Sequence, residues 1–264
     1  MVCRCCKDNM LQFLFTTKVI GKDVSYFECK KCKFVQTEEP TWLSQAYSST
    51  INVSDTGIIC RNLSDLSLTL ATLCLMGEKK AILVDYAGGY GFLVRLLRDI
   101  GINAYWTDLY CENLVARGFE YKKEYGLAAL VTAFEAFEHF VQPSYEMEKM
   151  LNIGSNILLT TSIIPQPVPN PSEWWYYGIE HGQHIGFYRI QTLEYLAKKF
   201  GLYLNSDGTS IHLFSKKKYS LKLWNLYRKI ANRIPRLFTL GLKSKTWDDH
   251  LFVSKSLSNT FLKK

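Results

Sequence analysis

Apolar residues occur along this chain in short blocks, and the spacing within the blocks changes between that of a strand and that of a helix. Four blocks have the length of buried strands: 81–84, 103–107, 127–134 and 156–164. Three stretches with helical spacing lie between or after them: 92–98, 146–151 and 190–200. Strands separated by helices predict an α/β fold, with a mostly parallel sheet and helices on both faces.

The regions on either side of this α/β pattern predict other structures. Residues 41–78 carry leucines at helical spacing and predict a helical cap. Apolar stretches at 202–205 and 209–214 are too close for a helical crossover, so we expect an antiparallel hairpin. Residues 219–264 predict a basic amphipathic helical tail, which either packs on the domain spanning 79–218 or lies on an anionic membrane.

The first 40 residues contain five of the eight cysteines. Two Cys-x-x-Cys pairs, Cys3 with Cys6 and Cys29 with Cys32, are separated by 22 residues, as in a zinc ribbon whose four thiolates bind one Zn²⁺. Cys5 is the less suitable ligand, because two residues must lie between the members of a pair. We expect the metal to supply the folding energy of this small segment. Free or redox-active thiols are the alternative.

Composition and charge narrow the class of protein. With 264 residues, 47% of them hydrophobic and 21% charged, the chain can bury a core. The net charge is +8, but 13 of the 32 basic and only 2 of the 24 acidic residues follow position 215, so residues 1–215 are mildly acidic. This distribution argues against a nucleic-acid partner. No apolar run approaches the roughly 18–20 residues of a membrane span, so we expect a cytoplasmic protein whose tail allows peripheral membrane contact.

A glycine-rich turn follows the first predicted strand. It reads Asp85-Tyr-Ala-Gly-Gly-Tyr-Gly91, and a second acid, Asp108, lies 17 residues further on, at the end of the next strand. Such a turn brings backbone N–H groups close to a nucleotide, and the second acid is suited to ribose hydroxyls. Val94 stands where a dinucleotide-binding turn has its third glycine, which disfavours a pyrophosphate ligand. A tight connection without a ligand is the alternative.

These residues resemble the class I S-adenosylmethionine-dependent methyltransferases, whose motif is D/E-x-G-x-G-x-G. Ala87 replaces the first glycine, which requires a negative φ there. Residues 132–139 resemble the strand-four segment E-x-x-E-H, and residues 174–188 resemble the substrate-side loop of methyltransferases that act in sugar modification and polysaccharide biosynthesis. An N-terminal zinc segment ahead of such a domain resembles the sugar C-methyltransferases. The resemblance implies a Rossmann-like, seven-stranded sheet. Gln183 and Arg189 stand where those relatives often have Glu and Ser, and Gln183 disfavours C-methylation.

The resemblance also implies a set of cofactor-binding residues. The backbone of the glycine-rich turn would face the methionine part of S-adenosylmethionine, Asp108 would bind the ribose and Leu109 would border the adenine. Arg61, in the cap, is suited to the cofactor's carboxylate. The implied set is Tyr47, Thr56, Arg61, Asp85, Tyr86, Ala87, Gly88, Gly89, Asp108, Leu109, Ala133, Phe134 and Glu135.

Methyl transfer to a sugar hydroxyl requires a group that removes a proton, and histidine suits this task at neutral pH. We expect His184 to be the general base, with His181 and His139 as alternatives and Glu135 or Glu138 as orienting groups. The expected acceptor is a saccharide or a nucleotide-linked or lipid-linked sugar. Two tryptophans at 174 and 175 follow a proline-rich loop and either stack on that acceptor or belong to the core.

Several of these residues have a purely structural alternative. Glu138 and His139 can form the solvated first turn of a helix, and Tyr47 can be helix packing. His181 and His184 are spaced for metal binding, but the sequence shows no third ligand near them. For the whole chain, the alternatives are a sugar C-methyltransferase and a non-catalytic S-adenosylmethionine-binding scaffold subunit.

Overall fold

The computed structural model describes residues 1–47 and 55–261, with side chains up to residue 255. Residues 48–54 of the predicted cap and 262–264 of the predicted tail lie outside the described residues. The chain forms two compact units, each made of two stretches. Unit 1 consists of residues 1–56 and 133–218, and unit 2 consists of residues 57–132 and 219–264.

An antiparallel sheet begins unit 1. Its strands, in spatial order, are β1 (Leu11–Val19), β2 (Lys22–Cys29), β3 (Val35–Thr37) and β8 (Gly186–Phe187). The sequence does not predict β8, because two residues are too short to show a period. Through β8, the cysteine-bearing segment shares its sheet with the stretch that carries His184.

An aromatic core holds this sheet in place. Tyr26, Trp42, Tyr177 and Phe187 are buried in one cluster, which draws on residues 19–42 and 164–187. The sequence predicts that a metal supplies the folding energy of the first 40 residues. The structure corrects this, because these residues also gain stability by burying aromatic side chains against the later segment.

The second sheet is the α/β sheet. It has the spatial order β5-β4-β6-β7-β10-β9, with β4 parallel to both of its neighbours and β10 antiparallel to both of its neighbours. The predicted C-terminal hairpin is confirmed, but the described residues give this sheet six strands rather than seven. The strands are β4 (Ile82–Tyr86), β5 (Asn103–Thr107), β6 (Leu130–Phe134), β7 (Ile157–Thr160), β9 (Tyr203–Ser206) and β10 (Ile211–Ser215).

Two of these strands are shorter than the apolar pattern predicts. β6 starts at Leu130 instead of Leu127, which is exposed. β7 ends at Thr160, and Thr161 is already bonded to the backbone of Ser210 outside the named strands. The division between the units falls within β6, whose first three residues belong to unit 2.

Eight α-helices lie in the described residues. Five are in the α/β region or before it: α1 (Leu43–Ala46), α2 (Ile58–Met76), α3 (Phe92–Asp99), α4 (Pro143–Ile153) and α5 (Ile190–Phe200). The tail supplies α6 (Leu221–Arg233), α7 (Pro235–Phe238) and α8 (Thr246–Phe261). Helix α5 has the predicted bounds, and it ends at Gly201 in the left-handed conformation that glycine adopts without strain.

Helices of the tail pack within unit 2. Trp224 of α6 is fully buried, and its indole N–H donates to Thr72 Oγ1 of α2 over 3.0 Å. In α8, Asp249 accepts two hydrogen bonds from the Arg98 guanidinium, of 2.6 and 2.7 Å. Such a bidentate, buried ion pair fixes the helix geometrically. Of the two predicted alternatives for the tail, packing on the protein is therefore observed for α6 and α8.

Helix α2 corrects one expectation from the sequence. Its 19 residues are long and apolar enough to cross a membrane, judged by length and composition alone, although no run of that length is expected from the sequence. The six consecutive residues from Leu68 to Leu73 are buried, however, and Thr72 is bonded to Trp224. This part of α2 therefore packs within unit 2.

Candidate active site

The glycine-rich turn of unit 2 connects β4 to α3 in the predicted place. Three of its residues have positive φ angles: Ala87 at 57°, Gly89 at 53° and Gly91 at 87°. The left-handed conformation of Ala87 contradicts the requirement that its φ be negative. An alanine there carries a steric cost of roughly 1 kcal/mol, which a glycine would avoid.

Gly91 and Gly89 of the turn differ in what an added side chain would contact. A side chain at Gly91 would collide with Asn113, because its Cβ would lie 2.7 Å from Oδ1. A Cβ at Gly89 would meet no protein atom within 4 Å. The backbone of Gly89 therefore borders open space, where a ligand can approach it.

Asp108 and Trp106 hold this turn from the end of β5. The Asp108 carboxylate accepts from the Gly89 N–H at 3.0 Å and from the N–H groups of Tyr110 and Cys111 at 2.7 and 2.9 Å. The Trp106 indole donates to the Gly89 carbonyl at 2.8 Å. The predicted acid thus lies beside the turn, as expected, and it also orders the backbone around the turn.

Asp85, the acid at the end of β4, is buried beside β6. Its Oδ1 accepts from the Thr132 hydroxyl over 2.7 Å, and the two residues are paired across the parallel strands. Burial raises the pKa of the Asp85 carboxyl to about 7, although the Thr132 hydrogen bond opposes this shift and the charge of Asp108 adds to it. Asp85 is therefore poised to change its charge near neutral pH.

The rest of the implied cofactor set is more dispersed. Ala133 and Phe134 end β6, and Glu135 follows with a φ of 47° and donates its N–H to Thr160. Leu109, expected beside an adenine, is 73% exposed. Thr56 and Arg61 are exposed around the start of α2. Tyr47 instead bonds to His139 in unit 1, with a distance of 2.9 Å between its hydroxyl and Nδ1.

A compact cluster of titratable side chains lies in unit 1. Glu138 and His139 form a short 3₁₀ turn after β6, and His184 precedes β8. One ligand atom from each of the three lies within 4.8 Å of the others. Glu138 is fully buried, so the alternative of a solvated helical turn is wrong. His181 lies beside this cluster, with its ring centroid 4.8 Å from that of His184.

Hydrogen bonds to the backbone orient the three histidines. His184 donates from Nδ1 to the Tyr176 carbonyl over 2.6 Å, and His139 Nδ1 lies 3.1 Å from the Gln183 carbonyl. Since a carbonyl only accepts, these contacts place the proton on Nδ1 and the lone pair on Nε2, and the Tyr47 hydroxyl oxygen, 2.9 Å from His139 Nδ1, then accepts from the same N–H. His181 is the reverse case, because its Nδ1 accepts from the Gln183 N–H over 3.1 Å.

Burial dominates the electrostatics of the cluster. It lowers the pKa of His139 to about 4 and that of His184 well below its usual value, so both rings are neutral at neutral pH. Burial raises the pKa of Glu138 to about 8, and the neighbouring Glu135 charge raises it further. The nearby hydroxyls of Tyr176 and Thr161 oppose this shift, although neither forms a hydrogen bond of normal geometry with the carboxyl group.

The two adjacent tryptophans, Trp174 and Trp175, differ in their exposure to solvent. Trp174 packs against the aromatic core of unit 1, with its ring 5.0 Å from that of Tyr177. Trp175 is 81% exposed. It immediately precedes Tyr176, whose carbonyl orients His184. Only one of the two indoles is thus available for an acceptor.

Four cysteine thiols converge in unit 1 as the spacing predicts. Cys3, Cys6, Cys29 and Cys32 have their sulfur atoms within 4.8 Å of one another, whereas Cys5 stands outside the group. Each pair forms the same tight turn, in which the N–H of the residue after the pair, Lys7 or Lys33, donates to the first cysteine's carbonyl over 2.9 Å. The two lysines also share a positive φ, of 62° and 60°. This repeated geometry fits a four-thiolate zinc site.

The comparison with known families decides the class of enzyme. A family model described as a methyltransferase domain matches residues 57–206, which is more than half of the chain. The chain belongs to the methyltransferase domain family. It is an S-adenosylmethionine-dependent methyltransferase. No curated protein matches the sequence significantly.

Solved structures similar to the methyltransferase are distant. Magnesium protoporphyrin IX methyltransferase from Synechocystis PCC 6803 is 12% identical, with a TM-score of 0.45 over 65% of this chain and 90% of that one. An O-methyltransferase family protein from Burkholderia thailandensis is 12% identical, with a TM-score of 0.49 over 69% of this chain and 64% of that one. Human N-acetylserotonin methyltransferase is 13% identical, with a TM-score of 0.41 over 67% of this chain and 66% of that one. The methyltransferase thus spans slightly under two thirds of the latter two, and likenesses this weak do not indicate its acceptor.

The residues of unit 2 fit S-adenosylmethionine. The open space beside Gly89 leaves its backbone approachable, and the positive φ angles of the turn expose its peptide groups. Asp108 is positioned to accept from ribose hydroxyls with its remaining lone pairs. Bound S-adenosylmethionine supplies an electrophilic methyl group on its sulfonium sulfur.

Two important residues of the methyltransferase escape sequence reasoning. Trp106 holds the turn through its indole, but it reads as one more apolar residue of β5. Tyr176 reads in the sequence as one more aromatic residue beside the two tryptophans, whereas its backbone carbonyl orients His184. Backbone contacts leave no trace in residue type.

Proposed function

We propose that the methyltransferase methylates a hydroxyl oxygen of a saccharide or of a nucleotide-linked or lipid-linked sugar, as an enzyme of carbohydrate modification or polysaccharide biosynthesis. The exposed indole of Trp175, adjacent to the residue that orients His184, carries this proposal. Sugar rings stack on exposed aromatic faces through their C–H groups, and Trp175 presents such a face beside the segment that orients His184.

His184 is the proton acceptor that the geometry favours. Its Nδ1–H is fixed by the Tyr176 carbonyl, which leaves the Nε2 lone pair for an acceptor hydroxyl. His139 shares this tautomer. His181 is less suited, because its Nδ1 lone pair already accepts from the backbone. Glu138 belongs to the cluster and Glu135 lies near enough for its charge to raise the pKa of Glu138, so both are suited to orient the histidines.

Gln183 supports O-methylation over the C-methylation alternative. Its side-chain amide donates to the Ala46 carbonyl over 2.9 Å. An ionised glutamate at position 183 could not donate this hydrogen bond to Ala46. Residue 183 therefore holds the segment around Ala46 in place, and we do not assign it the removal of a proton from carbon.

A methyl-release assay with saccharide and nucleotide-sugar acceptors tests the proposal. We expect His184→Ala to lower kcat at least tenfold, with unchanged affinity for S-adenosylmethionine in calorimetry, and Trp175→Ala to raise KM for the sugar. His181→Ala is the matched control and should keep most of the rate. An enzyme that binds S-adenosylmethionine and methylates no sugar would favour the scaffold alternative, and an unchanged rate in His184→Ala would remove this residue from the mechanism.

We also propose that the four cysteines hold a structural Zn²⁺, and that the tail contacts an anionic membrane. In α6 and just after it, Leu223, Leu226 and Ile234 are exposed although Trp224 is buried, and basic Lys222 and Lys229 are exposed in the same helix. Basic amphipathic helices of this kind bind anionic lipid. Flotation with anionic liposomes, and its loss at high salt or in Leu226→Glu, tests the membrane contact.

A further inference from the structure

We propose that Glu138, His139 and His184 bind one divalent transition-metal ion, separate from the cysteine cluster. Two imidazoles and a carboxylate are a common ligand set for Zn²⁺ and related ions, and three protein ligands leave coordination positions open.

The distances are close to those of a metal site. The three ligand atoms lie within 4.8 Å of one another, and His139 Nε2 is 3.9 Å from Glu138 Oε1. Ligand atoms around a tetrahedral Zn²⁺ are about 3.4 Å apart, given bonds of about 2.0–2.2 Å. Small side-chain rotations close the difference.

The histidines already have the tautomer that metal binding needs. Metal-bound histidines usually donate their other ring N–H to a carbonyl or carboxylate, which fixes the ring. Here the Nδ1 atoms of His184 and His139 contact the carbonyls of Tyr176 and Gln183, respectively. Both Nε2 lone pairs therefore remain for the cluster.

Glu138 supplies the independent observation. Its side chain is fully buried, and neither carboxylate oxygen has a hydrogen-bond partner. The other groups that face it are Glu135, a like charge, and the hydroxyls of Tyr176 and Thr161, which lower its pKa but form no hydrogen bond of normal geometry with it. A fully buried carboxyl group whose oxygens make no hydrogen bond, next to two imidazole lone pairs, favours a bound cation.

His181 is the matched control within the same segment. Its ring lies as close to His184 as the ring of His139 does, at 4.8 Å, but its Nδ1 is occupied by the Gln183 N–H. We therefore expect His181 not to bind the metal, although its ring is close to that of His184.

The metal site deepens the proposed function and rests on it only for its role in catalysis. With an ion bound, Glu138, His139 and His184 would hold it, and the ion would supply Lewis acidity for an acceptor hydroxyl; His184 would then be a ligand instead of the base. Metal uptake needs no methyl transfer, so it can succeed or fail independently of the acceptor proposal.

Cobalt(II) titration of the metal-depleted full chain, followed by visible absorption, tests the site. Thiolate ligation at the cysteine cluster gives an intense charge-transfer absorption, whereas nitrogen and oxygen ligation gives only weak d–d bands. We expect wild type and His181→Ala to show one equivalent of the weak-band type, and His184→Ala and Glu138→Gln to lose it while keeping the charge-transfer absorption.

Circular dichroism of each variant confirms that it is folded, and Glu138→Gln is the safer variant because it keeps the side-chain volume. The proposal is overturned if wild type shows no weak-band cobalt, if His184→Ala and Glu138→Gln retain it, or if His181→Ala loses it. A cluster that takes only a proton would give the first of these results.

Discussion

At the scale of single residues, the sequence identifies the chemistry but not the backbone that presents it. The acid-glycine turn and Asp108 are predictable, because their residue types and spacing are tied to ligand binding. The φ angle of Ala87 is not, since it depends on how Trp106 and Asp108 bind Gly89 from another strand. The tautomers of the histidines escape prediction for the same reason.

Ala87→Gly should stabilise the protein by about 0.5–1 kcal/mol, because glycine adopts the left-handed conformation without the steric cost that alanine bears. The net gain is limited by the greater entropy of glycine in the unfolded chain. Urea unfolding measures the change. Ala136→Gly is the control. Ala136 has a φ of −126°, which alanine adopts without strain, so glycine there should destabilise the protein. Equal effects in both variants would show that the turn is not strained.

Asp85 should make stability depend on pH between about 4 and 7. Its folded-state pKa of about 7 lies above the usual value of about 3.9, so folding favours the protonated carboxyl. The stability that the protonated Asp85 carboxyl contributes to the folded state is fully present below about pH 4 and is lost as the pH rises to about 7. Above pH 7, this carboxyl makes stability depend no further on pH. The loss is on the order of a few kcal/mol.

Asp85→Asn removes this titration and keeps an acceptor for the Thr132 hydroxyl. Melting temperatures at pH 5 and pH 8 should therefore differ more in wild type than in the variant, with wild type falling further at pH 8. Identical pH profiles would mean that Asp85 does not titrate in this range.

At the scale of elements, prediction succeeds where the period is long and local. Strand β5 and helix α5 have the predicted bounds, because five and eleven residues show a clear pattern. Strand β8 is invisible in the sequence, because its pairing with β3 is a long-range contact of two residues. The Cys-x-x-Cys turns are predicted because metal binding imposes their spacing.

Metal removal should lower the melting temperature of unit 1 without unfolding it completely, because aromatic burial also holds its first sheet. Cys29→Ser should lose zinc in elemental analysis and melt earlier, whereas Cys60→Ser, at an exposed cysteine outside the cluster, should change neither. A protein purified without zinc, and unaffected by chelator, would contradict a structural metal.

At the scale of the whole molecule, the charge of the chain says little about its chemistry. The positive surplus belongs to the tail, and two tail helices pack in unit 2 through Trp224 and Asp249. Each unit also draws on two separate stretches of sequence, which no local pattern reveals. Methyl transfer is instead indicated by a few residues at the ends of β4 and β5, and by the family to which residues 57–206 belong.

Calorimetric titration with S-adenosylhomocysteine tests the methyltransferase assignment most directly. Wild type and Asp248→Ala, a change at an exposed acid of the same unit, should bind one equivalent. Asp108→Ala should bind at least tenfold more weakly, a loss of about 1.4 kcal/mol, because it removes both the ribose acceptor and the Gly89 contact. No heat of binding in wild type, or equal affinity in Asp108→Ala, would contradict the account.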